Sequence, residues 1–128
     1  MARIKGIKID GFKETYKNLG LLEEEIDKAA LRGVKKLADV ILGESQKLVP
    51  VDTGILKESG AISTDKKAQI VTISYNTPYA RKQHEDNTLN HPKGGQAKYL
   101  EQPFNEKSKE IEIYVGESIN KLLRKKHP

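Results

Sequence analysis

Apolar residues recur at helical spacing through the first half of this chain. Leu19, Leu22, Ile26, Ala30, Val34, Leu37, Ile41 and Leu48 follow one another mostly at steps of three and four, which sets them on one stripe. The pattern predicts helix from about Phe12 to Val49 with a break near Asn18-Gly20. The part after Gly20 would be about 40 Å long at roughly 1.5 Å per residue. Glu23, Glu24, Glu25 and Asp27 come early on its polar side and Lys35, Lys36 and Lys47 late. That order suits the helix dipole, so these runs are expected to form a solvated face. Ahead of the helix, Ile4, Ile7 and Ile9 with intervening lysines predict a short first strand that Asp10-Gly11 ends.

Beyond the helix the period changes. Residues 61–65 and 68–75 predict a hairpin, with Ile70, Val71, Ile73 and Tyr75 on its second strand and Asp65-Lys66-Lys67 at its turn. Asn76-Thr77-Pro78 breaks that strand. From Tyr79 to Ala97 the chain is polar and turn-rich, with Asn87, Asn90, Pro92, Gly94 and Gly95, which predicts a long flexible loop at about 79–97. Loops of that size tend to be functional, so this one is expected to reach a partner and to order on contact. A last amphipathic helix is expected from about Asn105 to Lys126, with Pro103 and Asn105 marking its start and Ile111, Val115, Ile119 and Leu122 facing the core. The fold class is therefore α+β: one domain over residues 1–128, a small antiparallel sheet packed against a long N-terminal helix and a C-terminal helix.

Composition narrows the picture. Only 36% of the residues are apolar, 32% are charged, and tryptophan is absent, so the core should be thin and part of the order should come from neighbours in an assembly. The lack of cysteine excludes disulfides and thiolate metal sites. No apolar run approaches the length that crosses a bilayer and no signal-peptide core follows Met1-Ala2-Arg3, so a soluble protein that stays in the cytoplasm that made it, with no membrane partner, is expected. The net charge of +5 raises a nucleic-acid reading, but residues 1 to 50 hold ten basic and eight acidic groups, 51 to 100 seven and five, and 101 to 128 six and five. Along the sequence the excess is spread thinly. Only Lys121, Arg124, Lys125 and Lys126 cluster without acids, as a helix C-terminus favours or as contact with a phosphate backbone or an acidic protein would need.

One string admits two chemistries. In Val49-Pro50-Val51-Asp52-Thr53-Gly54-Ile55-Leu56-Lys57-Glu58-Ser59, the Asp-Thr-Gly triplet is the one retroviral-type aspartic proteases carry, where two carboxylates share a proton to activate water. That chemistry needs the triplet at the end of an apolar strand, whereas here it follows a helix that Pro50 stops. As a structural turn the string is more complete. Asp52 can N-cap a short helix starting at Thr53, Val51 and Leu56 are spaced as a hydrophobic staple, Gly54 permits a tight approach or an unusual backbone angle, and Ser59-Gly60 ends the turn. In the loop, His84, Glu85, Asp86 and His91 could be drawn as a metal cluster, but no recognised ligand spacing is present and intersubunit hydrogen bonding suits them better. Ser59 and Ser63 lack the glycine frame of a serine nucleophile. No cofactor is expected.

Taken together, a short strand, a long helix, Pro50-Val51-Asp52-Thr53-Gly54 with Leu56 and Ser59, a hairpin, Tyr79-Ala80, Glu85, and Tyr99-Leu100-Glu101-Gln102-Pro103-Phe104 resemble, in that order, the tail-completion or head-to-tail connector proteins of long-tailed phages. Where that family often has glycine soon after the glutamate, Glu85 is here followed by Asp86-Asn87 and an extended His91-Pro92-Lys93-Gly94-Gly95 segment. The resemblance implies a non-enzymatic minor capsid or neck protein of the virion, assembled in the host cytoplasm. It implies a self-assembled ring, a hexamer to match a long tail, between portal-side, neck and tail proteins, with genomic DNA passing its lumen without sequence-specific binding. Pro50, Asp52, Thr53, Gly54, Leu56 and Ser59 would form its structural turn. Tyr79, His84, Glu85, Asn87, His91, Tyr99 and Glu101 are the candidate subunit or partner interface, with a core-edge position equally open to Tyr79 and Tyr99.

Overall fold

The structure, a computed structural model, describes residues 2–4, 20–50, 54–76, 85 and 98–127. In chain order these form β1 (Ala2–Ile4), α1 (Glu23–Leu48), α2 (Ile55–Glu58), β2 (Gly60–Asp65), β3 (Ile70–Tyr75), α3 (Glu101–Lys107), one 3₁₀ turn (Ser108–Glu110) and α4 (Ile111–Lys126). No helix among the described residues is long and apolar enough to cross a membrane.

The long helix starts after Gly20, which takes φ +83°. Leu22, the residue before its first turn, has no side-chain acceptor of its own, and the Glu25 carboxylate accepts the Leu22 N–H instead. Its buried face is broader than the apolar stripe suggests, because Ala29, Gly33, Ala38 and Ser45 are buried beside Ile26, Ala30, Val34, Leu37 and Ile41. Small residues carry little hydropathy signal, yet they are where a neighbour comes closest. Leu22, expected on that stripe, is instead 66% exposed, because it precedes the first helical turn. Leu19 lies outside the described residues.

The sheet is antiparallel with order β1-β3-β2, Ile73 pairing with Ile4 on one side and with Ile62 on the other. As the central strand β3 buries Val71, Thr72, Ile73 and Tyr75 in a nearly continuous run, whereas the edge strand β2 alternates. The hairpin turn is held by Asp65, whose Oδ1 accepts the N–H of Lys67 and of Ala68, each at 3.1 Å.

The C-terminal helical segment begins earlier than Asn105. Glu101 opens α3, so Pro103 lies in its first turn instead of ahead of it. Proline is tolerated there because first-turn N–H groups have no intrahelical acceptor, and Phe104 donates to Leu100 as the first full turn closes. The 3₁₀ turn then leads into α4, where Val115 and Ile119 are fully buried and Ile111 and Leu122 partly so.

Helix α1 runs between the sheet and an antiparallel α4. Along the α1–α4 pair, Lys126 meets Glu25, the Ser118 hydroxyl donates to the Ala29 carbonyl, and Gly33 faces Tyr114 and Val115. A Cβ on Gly33 would fall 2.7 Å from the Tyr114 oxygen and 2.8 Å from the Val115 Cα, so glycine sets the closeness of the crossing.

Candidate functional site

The turn after α1 is built from its backbone outward. Val49 donates to Ser45 at 3.1 Å, and Pro50, with no N–H, ends the helix and is itself buried. Gly54 takes φ +77° and no atom lies within 4 Å of where its Cβ would be, so its role is conformational and not one of space. Its carbonyl accepts the Glu58 N–H at 3.1 Å, and Leu56 enters the core. Ser59 Oγ donates to the Leu56 carbonyl at 2.7 Å and accepts the Asn76 N–H at 3.2 Å. One hydroxyl thereby ties the short helix to the end of β3. Asp52 and Thr53 lie outside the described residues.

The expected long loop at about 79–97 lies outside the described residues apart from Glu85, and two buried rings flank it in sequence. Tyr75 and Tyr99 stand edge to face, with centroids 5.1 Å apart and planes at 89°. The Tyr75 hydroxyl shares a 2.8 Å hydrogen bond with Ser45 Oγ of α1. Burial pushes the Tyr75 phenol up, partly offset by the Ser45 bond. Burial, then the proximity of Tyr75 and of Glu85, pushes the Tyr99 phenol up further. Of the two places open to Tyr99, the structure shows the core one: the residue is fully buried and its ring completes the core.

Glu85 and Glu101 come together through one cation. Lys98, which takes φ +57°, donates to the Glu85 carboxylate and lies 3.5 Å from Glu101. The Glu85 bond is the main reason the Lys98 ammonium is held above its usual range. Tyr79, His84, Asn87 and His91 lie outside the described residues, as does Asp86. No group of three or more metal-ligating side chains forms among the described residues.

A third region escaped sequence reasoning. Lys28, Arg32 and Lys35 on α1 and Lys66 and Lys67 at the hairpin turn line a groove of about 630 Å³ that also holds Glu24 and Asp27. Arg32 and Lys35 continue into a second groove of about 300 Å³, where Lys36, Asp39, Tyr114, Glu117 and Lys121 join them. Lys28 is paired with Glu24 at 3.1 Å. Arg32, Lys35, Lys36, Lys66, Lys67 and Lys121 form no ion pair with a described residue. A signal existed in the helical spacing of Lys28, Arg32, Lys35 and Lys36, but nothing local says that the hairpin turn folds beside them. The C-terminal basic cluster is partly satisfied at home, since Lys126 reaches Glu25 at 2.6 Å and holds that carboxyl below its usual range.

A comparison with protein families matches residues 13–83, more than half of the 128-residue chain, to the family described as "Bacteriophage HK97-gp10, putative tail-component". The matched segment contains α1, the turn closed by Ser59, and the hairpin. No curated protein and no solved structure matches the chain.

Proposed function

Because the chain belongs to the HK97 gp10-like family of phage tail components, a structural part of the virion, we propose that it works at the neck, in a ring that joins the DNA-filled head to the tail. The family match across α1, the turn and the hairpin is the observation that carries this reading. Its function is then geometric, without catalysis. A ring needs heterologous contacts, one surface of each subunit binding a different surface of the next, with closure set by the rotation between them. The two large apolar side chains left in solvent among the described residues, Leu22 and Ile113, lie near opposite ends of α4, the unlike placement that a head-to-tail contact joins. Glu85, held on Lys98, and Glu101 are the described members of an interface that would include Tyr79, His84, Asn87 and His91. The ring is six-fold, assembles in the host cytoplasm, and sits between portal-side, neck and tail proteins with the genome in its lumen.

Electron microscopy of lysates from the encoding phage or prophage with this gene deleted tests the reading. Separate DNA-filled heads and finished tails are the expected result; intact virions would overturn it.

A further inference from the structure

We propose that the two grooves on the outer side of α1 form one surface for the phosphate backbone of duplex DNA. The proposal rests on the neck reading for the presence of DNA beside the protein, but the surface is argued from its own chemistry. Three elements converge on it: α1 brings Arg32, Lys35 and Lys36, the hairpin turn Lys66 and Lys67, and α4 Lys121. All six are exposed and none is ion-paired with a described acid, and although Glu24, Asp27, Asp39 and Glu117 share the linings, the seven cations there outnumber these four carboxylates. Unpaired cations held this close repel one another and gain most from a ligand that is a line of negative charge.

The dimensions and the other lining groups select among such ligands. From Lys28 to Lys36 the helix advances about 12 Å, and the same length of duplex axis carries about seven charges over its two strands, so a row of phosphates runs the length of this surface. Among the described residues Tyr114 is the one aromatic in the two linings, so they supply no platform on which successive unpaired bases would stack, which favours a duplex over a single strand. A second copy of this chain fits less well. The acidic residues exposed on α3 and α4 are interleaved with Lys107, Lys109 and Lys121, and the acidic run Glu23, Glu24, Glu25 and Asp27 that opens α1 is already engaged within the chain, so neither offers a free acidic face to enter the grooves. Lysines and an arginine without base-reading partners predict binding that ignores sequence.

The test uses the full chain and a labelled random-sequence duplex, with affinity followed by fluorescence anisotropy over a salt series. Binding at low salt is expected, with log K falling against log salt at a slope of about −4 to −5, since each neutralised phosphate contributes about −0.9. Arg32→Glu combined with Lys66→Glu should lower affinity about tenfold or more and flatten the slope by about 2. Lys66→Gln with Lys67→Gln, at exposed turn positions, gives a second variant should the first fold poorly, and should flatten the slope in the same sense. Lys57→Glu with Lys109→Glu, outside both grooves, should leave affinity within about twofold. No binding at low salt, or an equal loss in that control, would overturn the assignment. Loss of self-association in the groove variants, with no DNA binding by the unaltered chain, would instead give the grooves to a second copy and overturn it too. The neck reading fails separately: intact virions after gene deletion would remove it while leaving measured DNA binding in place.

Discussion

Gly33 and Arg32 are neighbours in sequence and belong to opposite regimes. On the α4 side, atoms within 3 Å of a would-be Cβ leave Gly33 no room for any side chain. On the exposed face, Arg32 borders two open grooves lined by charged side chains, one toward the hairpin turn and one toward the outer edge of α4. The first region is governed by short-range repulsion, which changes steeply over a few tenths of an ångström. The second is governed by charge, which acts over a Debye length of about 8 to 10 Å and hardly depends on where each terminal amine sits. One helix can therefore be intolerant on one face and permissive on the other, so fold stability and partner binding can be altered independently.

The largest break in this contrast should come from Gly33→Leu. Forcing α4 away from α1 is expected to cost about 3 kcal/mol or to prevent folding, as read by urea denaturation. Helix propensity alone would favour leucine over glycine by nearly 1 kcal/mol, so a variant of equal or higher stability would show the crossing to be looser than drawn.

A polar contact inside the tight region gives the next effect. Ser45→Ala and Tyr75→Phe should each cost about 1 to 2 kcal/mol, because each leaves a buried hydroxyl without its partner. The double variant should lose clearly less than the sum, and strict additivity in that cycle would mean the two hydroxyls are not coupled.

The same rings predict an alkaline response. Both tyrosines have folded-state pKa values raised by burial, so the unfolded chain loses its phenolic protons first, from about pH 10. Their stabilising contribution is complete below that pH and is lost as pH rises toward the folded values. Tyr99→Phe should flatten the fall in melting temperature above about pH 10; an unchanged profile would assign the fall to other groups.

The smallest effect belongs to the permissive side. Lys66→Glu with Lys67→Glu should change folding stability by no more than about 0.5 kcal/mol, since both are exposed turn residues. A larger loss would tie the grooves to the fold and remove the distinction between the two regimes.

Local pattern was enough for the α+β class, for both main helices, and for a hairpin closed at Asp65, because periodicity and turn chemistry are written within a few residues. It was also enough to mark Gly54 and Ser59 as turn residues, although not to foresee that the Ser59 hydroxyl would receive the Asn76 N–H from the far end of the hairpin. Hydropathy passed over Ala29, Gly33 and Ser118, whose role is to let two backbones approach, and such residues carry no apolar signal. Tyr99 looked equally suited to an interface or to the core edge, since an amphipathic ring fits both; only its packing against Tyr75 decided the matter. Charge shows the widest gap. Counted along the chain, the basic excess is diffuse, and it becomes a surface only when the hairpin turn and α4 fold beside α1, because charges act through distance in space whereas sequence records only order.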